Sequence, residues 1–247
     1  MSKFQTYAVI LAAGRGERMQ ADANKMLLEI SGNSLLDLCL KRFQKNTNID
    51  HIIAVIAPDD IYAGQNNNSS WLDCLNQKYP KIKNFVAGGK TRQDSVYNGL
   101  LAIKNSTNSY TGRVLVLIHD GARCFVPSKV LDKIISALKS ERCAAVAALP
   151  VSDTIRQTAN FQLQDLAVSR ENLWQMQTPQ AADLDIYLHA FELARKDGIQ
   201  ATDDIALLLR IGYPVRIVMG DQRNFKLTTP ADFEMACLLY EAEYFKE

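Results

Sequence analysis

The sequence predicts an α/β fold in which a mostly parallel sheet carries helices on both faces. Short, continuously apolar segments alternate with longer amphipathic segments along most of the chain. Continuous apolarity indicates strands buried on both faces, and the alternation is typical of consecutive βαβ units. The chain has 247 residues, 47% of them hydrophobic, which is enough for one large core. We therefore expect a single Rossmann-like domain over residues 1–247.

The individual elements follow from the same two patterns. The predicted strands are TYAVILAA (6–13), HIIAVIA (51–57), KNFVAG (83–88), RVLVLIHD (113–120), CAAVAALP (143–150) and PVRIVMG (214–220). Amphipathic spacing predicts helices at 34–46, 92–105, 127–140, 182–196 and 202–211, and a final helix from about residue 229. Thr202 is the predicted N-cap of the helix that ends at Gly212.

This alternation breaks between residues 151 and 180, and an arm is predicted at about 151–172. Two alternating stretches, DTIRQ and QDLAVSR, flank the polar turn TANFQ, and this pattern predicts a β-hairpin rather than another βαβ unit. We expect a protruding β-hairpin arm, which usually needs a partner surface. Trp174 is expected to pack at the base of this arm.

Composition excludes several classes of protein. Lys and Arg total 28 and Asp and Glu total 27, so no overall charge excess favours binding to nucleic acid or to an anionic membrane. The 5 cysteines are scattered and never in CxxC spacing, which favours reduced thiols over a disulfide framework or a zinc site. The sequence shows neither a leader pattern nor an apolar run of membrane-spanning length. We therefore expect a cytoplasmic protein with a local anion site.

A glycine-rich, basic loop follows the first predicted strand, at the edge where parallel α/β sheets bind ligands. Gly14 and Gly16 allow the backbone amides to approach a phosphate closely, and Arg15, Arg18 and Lys25 add positive charge. The loop therefore predicts phosphate binding. From this loop alone, a tight turn without a ligand is an equally good interpretation.

Two widespread phosphate-binding motifs do not fit. A dinucleotide-binding fingerprint needs a third glycine where Met19 stands, and an acid closing the second strand about 20 residues further on. Here that strand is predicted to end much later, near Asp59 and Asp60. The segment GGKT at 88–91 would end a P-loop only with a glycine at position 84, where the chain has Asn84.

A set of short motifs, taken together, is far more specific than any one of them. In chain order they are AVILAAGRGERM…NK, GGKTRQDSV, HDGAR, VSDT, SRENLWQMQTPQ, TDD and NFKLTTPADF. In this order they resemble the bacterial 2-C-methyl-D-erythritol 4-phosphate cytidylyltransferases over nearly the full chain. The resemblance implies a nucleotidyltransferase fold, transfer of CMP from CTP to methylerythritol phosphate with release of pyrophosphate, Mg²⁺ as cofactor, and a homodimer formed through the arm.

Two alternatives stay open. One is a ribitol 5-phosphate cytidylyltransferase, although Ala12-Ala13-Gly14 favours the methylerythritol branch over the Gly-Gly of the ribitol branch. The other is a catalytically silent nucleotide-binding regulator. The presence of the predicted catalytic cations argues against this second alternative, and a pyrophosphate-release assay discriminates the two classes.

The resemblance also implies roles for individual residues. The predicted catalytic residues are Arg18, Lys25 and Lys226, which grip the CTP phosphates. The predicted nucleotide-binding residues are Ala12, Ala13, Gly14, Gly16, Gly89 and Ser95. The predicted substrate-binding residues are Asp120, Arg123, Thr154, Arg170 and Thr178, with Thr154 and Arg170 supplied by the neighbouring subunit. Mg²⁺ is expected to be held mainly by the CTP phosphates, with Asp120 as a candidate ligand.

Ordinary structural explanations compete with these roles. A surface Lys or Arg is normally a solvated charge, a serine on a helix often bonds its own backbone, and an aspartate often caps a turn. His119 is left out of the site because an attacking phosphate oxygen is already ionised and needs no general base.

The chain departs from the usual family pattern at two motifs. Asn24-Lys25-Met26 stands where Pro-Lys-Gln is usual, and Gly121 and Cys124 replace the usual alanine and proline in HDGARC. Because proline restricts the unbound loop, its loss is expected to loosen the first loop. The departures bear on turnover or CTP affinity rather than on the reaction class.

Overall fold

The structure is a computed structural model that describes residues 4–14, 25–65, 71–160 and 162–245. The predicted site residues Gly16 and Arg18, like Asn24, lie outside the described residues. No helix in the described ranges is both long and apolar enough to span a membrane.

Strands and helices alternate through most of the chain. The strands are β1 (Phe4–Ala12), β2 (Glu29–Ile30), β3 (Asn33–Ser34), β4 (His51–Ile56), β5 (Ile82–Ala87), β6 (Arg113–Asp120), β7 (Ala144–Pro150), β8 (Arg156–Ala159), β9 (Gln162–Ala167), β10 (Trp174–Asp183) and β11 (Val215–Met219). The helices are α1 (Leu35–Lys45), α2 (Pro58–Gln65), α3 (Trp71–Lys78), α4 (Arg92–Ser106), α5 (Ser128–Ser140), α6 (Leu184–Lys196), α7 (Asp204–Arg210) and α8 (Pro230–Glu241). Short 3-10 turns lie at Lys25–Leu27 and Gln222–Asn224.

The central sheet has 7 strands in the order β11-β7-β10-β6-β1-β4-β5. β10 runs antiparallel between β6 and β7, and the other neighbouring strands are parallel. The chain moves from β1 outward through β4 to β5, then returns to the other side of β1 as β6. Strand order therefore reverses between β1 and β6, and the crevice beyond their carboxyl ends is the expected place for a ligand.

Apolar side chains pack on both faces of this sheet. Ile10 of β1 belongs to the cluster beneath α1, where Phe43 is completely buried. The adjacent Val9 points to the other face and packs with Leu100 of α4 and Phe191 of α6. Successive residues of a strand face opposite sides, so a strand covered by helices on both sides needs continuous apolar sequence. The predicted α/β fold with a mostly parallel sheet and helices on both faces is confirmed.

Helix α4 lies closely against the sheet because it contains Gly99. A Cβ at this position would lie 2.7 Å from Val9 Cγ1 and 3.2 Å from Val55 Cγ2. Any larger side chain would overlap the buried valines and push the helix outward. This close packing fixes the first turn of α4, which contains Arg92, relative to β1 and β4.

β4 ends at Ile56, close to the predicted end at residue 57, and Asp59 and Asp60 follow in the first turn of α2. Proline at the first helical position has a fixed φ suited to the helix, which favours the start of α2 at Pro58. One local prediction was wrong. The N-cap of α7 is Asp203, not Thr202, because the Asp203 carboxylate accepts a hydrogen bond from the Ala206 amide at 3.0 Å.

The predicted arm contains an antiparallel hairpin of β8 and β9, which forms a sheet separate from the central one. Every residue from 152 to 160 is exposed. The chain then enters β10, an element that the sequence pattern did not predict. Trp174 is half-buried at the start of β10, where it pairs with Pro150.

Candidate active site

A cleft of about 640 Å³ lies beyond the carboxyl ends of the central parallel strands. It is lined by the loop after β1, the 3-10 turn at Lys25–Leu27, the β5–α4 loop, the end of β6 and the segment before α8. The cleft brings together eight of the predicted site residues, which are Ala12, Ala13, Gly14, Lys25, Gly89, Ser95, Asp120 and Lys226.

Two loops meet on one side of the cleft without room for larger side chains. A Cβ on Gly88 would lie 2.4 Å from the Cβ of Ala13, so the β5–α4 loop can pass this close to β1 only with glycine at this position. The Gly88 amide donates to the Ile56 carbonyl at 2.8 Å, which anchors the loop on β4. Because the side chains here are small, the two loops lie in close contact, and backbone atoms form most of this narrow side of the cleft.

Ser95 fixes the conformation of the β5–α4 loop through two hydrogen bonds. Its Oγ accepts a hydrogen bond from the Gly89 amide at 3.0 Å and donates to the Thr91 carbonyl at 3.0 Å. Thr91 also caps α4: its hydroxyl accepts from the Asp94 amide, and the Asp94 carboxylate accepts from the Thr91 amide. The T-x-x-D spacing in GGKTRQD is the sequence signal for this cap, and it was not used in predicting the site.

A chain of ion pairs crosses the cleft. The guanidinium of Arg92 bonds both carboxylate oxygens of Asp204 at 2.9 Å, and its Nε donates to Asp120 Oδ1 at 3.1 Å. Lys226 Nζ lies 2.7 Å from the other Asp120 oxygen. Arg92 and Asp204 were missed as individual residues, although both stand inside the motifs GGKTRQDSV and TDD.

Burial and charge act against each other on Asp120. Burial raises the pKa of this carboxyl, but the positive charges of Arg92 and Lys226 outweigh it and hold the pKa below its usual range. Asp120 therefore stays ionised at any physiological pH. Burial also lowers the pKa of Arg92, but Asp204 and Asp120 outweigh that effect and raise it. Arg92 and Asp120 are therefore both charged, whereas burial raises the pKa of Asp204 despite its bonds to Arg92.

The two predicted catalytic lysines come from opposite ends of the chain. Lys25 Nζ donates to the carbonyl of Leu227 at 3.4 Å, across 202 residues of sequence. The Leu227 amide donates in turn to the Ala122 carbonyl at 2.9 Å, which ties this segment to the loop after β6. Lys25 and Lys226 therefore both line the cleft because Leu227 and its neighbours lie against both loops.

Two predicted substrate-binding residues, Thr178 and Arg123, lie behind the cleft lining. The Thr178 hydroxyl is buried, accepts from the Asp120 amide at 3.1 Å and lies 3.0 Å from His119 Nδ1. Arg123 donates to the carbonyls of Asn224 and Met176 at 2.8 and 3.4 Å. Both residues support the end of β6 in this structure, and their contact with a substrate stays a prediction.

The remaining predicted substrate residues, Thr154 and Arg170, lie on the arm and are exposed. Arg170 donates a short hydrogen bond to the carbonyl of Ser152 within the same arm. Neither residue lines the cleft of its own chain. Their predicted role depends on a second chain and stays a prediction.

The described residues contain no cluster of three or more His, Cys, Asp or Glu side chains that could hold a metal ion. Asp120 is the only acidic residue among the described residues that line the cleft. A protein-built metal cage is therefore not part of the described site.

The fold and the cleft define an α/β protein with a cationic ligand site at its strand-order reversal. The family model described as 2-C-methyl-D-erythritol 4-phosphate cytidylyltransferase matches residues 6–241. The chain therefore belongs to the 2-C-methyl-D-erythritol 4-phosphate cytidylyltransferase family, as its motifs predicted.

Individual relatives agree with the family match. The chain is 38% identical over 231 residues to the 2-C-methyl-D-erythritol 4-phosphate cytidylyltransferase of Clostridium novyi, covering 92% of this chain and 93% of that protein. It is 40% identical over 230 residues to the protein of the same name from Geobacillus kaustophilus, covering 93% and 94%. Relatives with these names do not favour the ribitol phosphate enzyme or the silent regulator.

Solved structures show the same fold. The 4-diphosphocytidyl-2C-methyl-D-erythritol synthase of Anaerococcus prevotii superposes with a TM-score of 0.79 at 29% identity, covering 96% of each chain. The 2-C-methyl-D-erythritol 4-phosphate cytidylyltransferase of Thermus thermophilus superposes with a TM-score of 0.74 at 28% identity, covering 96% of this chain and 99% of that one.

His119 gives the site a prediction that concerns pH and stability. Its Nε2 lies 3.1 Å from the Arg123 carbonyl, which accepts only from a protonated nitrogen, while Nδ1 faces the Thr178 hydroxyl. These partners suit a neutral ring protonated at Nε2. Burial lowers the pKa of His119 to about 4, so the folded protein resists taking up a second proton on the ring.

We expect the free energy of unfolding to decrease as the pH is lowered from the unfolded pKa of His119 to its folded pKa. The unfolded chain binds this proton near pH 6.5 and the folded chain only near pH 4, so acidification across this window favours unfolding by about 2–3 kcal/mol. Urea unfolding at a series of pH values should show a shallower pH slope for His119→Gln than for the wild type. The exposed His189→Gln is the control and should keep the wild-type slope, whereas an unchanged slope in His119→Gln would contradict the prediction.

Proposed function

We propose that this chain transfers CMP from CTP to the 4-phosphate oxygen of 2-C-methyl-D-erythritol 4-phosphate. The products are 4-diphosphocytidyl-2-C-methyl-D-erythritol and pyrophosphate. The phosphate oxygen attacks the α-phosphorus of CTP in line, a new P–O bond forms, and the bond to the departing pyrophosphate breaks. The displacement is direct and needs no covalent enzyme intermediate. The family membership supports this reaction, and so does the arrangement of cations in the cleft.

The main observation behind the proposal is that Lys25 and Lys226 line one cleft, beside the glycines of the β5–α4 loop. Nucleotidyl transfer needs little covalent chemistry from a protein, and positioning with charge stabilisation supplies most of the rate. Negative charge grows on the α-phosphate and on the leaving pyrophosphate. Two ammonium groups that are already in place when CTP binds stabilise that charge without reorganisation.

The bases and acids of the site fit a direct displacement. The attacking phosphate oxygen is ionised near neutral pH, so no general base is needed. His119 is fully buried, neutral and bonded to protein groups on both ring nitrogens. It therefore serves in the support of the β6 end and not in proton transfer.

The narrow wall of the cleft is the proposed pocket for cytosine and ribose. Ala13, Gly88 and Gly89 crowd together there, and Ser95 fixes the Gly89 amide through its hydroxyl. A wall of small side chains and backbone can bond a pyrimidine edge closely, and a purine needs more room. Ala12, Gly14 and, outside the described residues, Gly16 complete the proposed nucleotide site.

Mg²⁺ is proposed to enter with the nucleotide. Asp120 already bonds two cations, and the described residues contain no other carboxylate in the cleft lining. This donor set suits a metal held mostly by phosphate oxygens, with Asp120 as the single candidate carboxylate ligand. When bound, Mg²⁺ would supply additional positive charge at the phosphates. Outside the described residues, Arg18 is the third proposed phosphate-binding cation.

The arm is proposed to complete the substrate site in a homodimer. Thr154 and Arg170 are exposed on a hairpin that forms a sheet of its own, away from the cleft lining of the same chain. A guanidinium suits the 4-phosphate of the sugar because its planar group can donate two parallel hydrogen bonds. We further propose one catalytic domain over residues 1–247, with the arm at 151–172, in the cytoplasm.

The direct test is to offer the purified protein Mg²⁺, nucleoside triphosphates and a panel of sugar-alcohol phosphates. We expect pyrophosphate release with CTP and methylerythritol phosphate, and far less with ribitol 5-phosphate or with ATP or GTP. The narrow wall beside Gly88 is the physical reason for the preference for a pyrimidine. Equal use of purine triphosphates would refute the cytidylyl assignment, and no release with any acceptor would favour a silent nucleotide-binding protein.

Lys25→Ala should lower kcat by about a hundredfold or more because it removes a charge that acts mainly in the transition state. Steady-state pyrophosphate release measures the effect, and circular dichroism checks that the fold is kept. Lys104→Ala, an exposed lysine on α4, is the matched control and should retain wild-type kcat. A Lys25→Ala variant with near-wild-type kcat would show that Lys25 has no such role.

Arg170→Ala should raise the KM for methylerythritol phosphate about thirtyfold, which corresponds to about 2 kcal/mol for one lost charge-assisted contact. The KM for CTP should change little, and Arg156→Ala on the same arm is the control. Mixing Arg170→Ala chains with Lys25→Ala chains should restore part of the activity, because one site of the heterodimer then has both an intact loop and an intact arm. The mixture is assayed with methylerythritol phosphate well below the KM of the Arg170→Ala variant, and if subunits exchange but the mixture gains no activity over the two variants alone, Arg170 does not serve the partner's site.

A further inference from the structure

Two positions where the chain departs from its family's motifs are in direct contact. Met26 follows Lys25 in the first 3-10 turn and is 2% exposed, and Gly121 follows Asp120 at the end of β6. A Cβ on Gly121 would lie 2.8 Å from the terminal methyl of Met26 and 3.5 Å from its sulfur. The Met26 side chain therefore occupies the space that an alanine side chain at 121 would need.

The surrounding backbone makes this contact tight. The Gly121 amide donates to the Leu11 carbonyl at 2.9 Å, which joins the end of β6 to β1. The same carbonyl would lie 2.9 Å from a Cβ on Gly121, so the space next to the glycine is already filled from two sides. Met26 is thus buried against Gly121 at the edge of the cleft, which it also lines, and its unbranched side chain is long enough to reach the glycine.

We propose that Met26 and Gly121 form a positioning pair that sets Lys25 relative to Asp120. The two charged residues are the immediate sequence neighbours of the pair, and both line the cleft. Lys25 lies on the same 3-10 turn as Met26, and Asp120 lies at the end of β6 next to Gly121. The packing of Met26 against Gly121 therefore holds this turn against the end of β6. The absence of a side chain at Gly121 leaves the space that the end of the Met26 side chain occupies. This inference rests on the proposed function for its kinetic readout.

A methionine that only fills the core would affect stability and leave the kcat of the folded enzyme unchanged. Such a residue affects stability and the fraction of folded enzyme, but not the chemistry of the molecules that are folded. A positioning residue lowers kcat in folded enzyme, because displacement by about 1 Å from the reacting geometry costs up to about a hundredfold in rate. The effect must also disappear when the residue that it positions is absent.

The first experiment compares Met26→Ala and Met26→Leu with the control Leu27→Ala. Leu27 lies on the same 3-10 turn but is 41% exposed, so its truncation tests the turn without the packed contact. We expect kcat to fall about tenfold in Met26→Ala, with the KM for methylerythritol phosphate within about twofold of wild type. Met26→Leu keeps the core volume, loses the reach to Gly121, and should show a smaller loss of kcat in a stably folded enzyme.

The second experiment asks whether Met26 acts through Lys25 and with Gly121. In a Lys25→Ala background, Met26→Ala should reduce the residual rate no further, because the group that it positions is gone. Gly121→Ala alone should lower kcat, because its new methyl displaces Met26. The Met26→Ala, Gly121→Ala double variant should be less impaired than the product of the two single losses, since the smaller side chain at 26 removes the contact of that methyl with Met26 and leaves only its contact with the Leu11 carbonyl. All rates are measured well below the unfolding temperature of each variant.

The outcomes separate this inference from the proposed function. If the wild type releases no pyrophosphate, the proposed function fails, and CTP affinity by isothermal titration tests the pair instead: Met26→Ala should weaken CTP binding and Leu27→Ala should not. The inference is overturned if Met26→Ala and Met26→Leu keep wild-type kcat and CTP affinity, or if Leu27→Ala is equally impaired. It is also overturned if the losses at 26 and 121 simply multiply, or if Met26→Ala slows the Lys25→Ala enzyme further.

Discussion

The arrangement of the cleft depends on the buried carboxylate of Asp120. An ionised carboxylate at the end of a buried strand is strongly unfavourable without partners of opposite charge. Arg92 and Lys226 supply that charge from opposite sides, one to each carboxylate oxygen. Arg92 is itself held by Asp204 through two hydrogen bonds. This chain of charges connects β6 to the first turns of α4 and α7 and to the segment before α8.

The charge of the cleft also follows from this arrangement. Asp120 and Asp204 balance Arg92 and Lys226, so the chain of ion pairs is neutral as a unit. Lys25 and Lys90 line the same cleft and bring two further basic side chains to it. The ion pairs hold Arg92 and Lys226 in fixed positions at the cleft. Charges held in place before a ligand binds are what charge stabilisation in a transition state requires.

Most of the fold could be predicted because buried parallel strands and amphipathic helices have distinct periodicities. The strand β10 was missed because its sequence, WQMQTPQAAD, alternates only over its first four residues and is then interrupted by a proline, and its place between β6 and β7 supplies the strand pairing. Asp203 and Thr202 are both good N-caps, and sequence alone does not decide which residue has the required backbone geometry.

Residues inside sequence motifs could be predicted as part of the candidate site. Contacts between side chains far apart in sequence could not. Lys25 and Lys226 were identified from their motifs, and the structure places both in the cleft. The bond between Arg92 and Asp204 joins residues 112 positions apart, and no local pattern predicts such a contact. Thr178 and Arg123 have the right chemistry for a substrate, but the packing of β10 places them behind the lining.

The bond between Lys25 and the Leu227 carbonyl has a consequence for the order in which the protein is made. Six of the seven strands of the central sheet have been synthesised once residue 183 is added, so most of the sequence of the core is made early. Lys226 and Leu227 are made some forty residues later, about two to eight seconds at ordinary translation rates. Lys226 therefore reaches the cleft only after six of the seven strands of the central sheet have been made, so the charge of the cleft is completed after most of its scaffold.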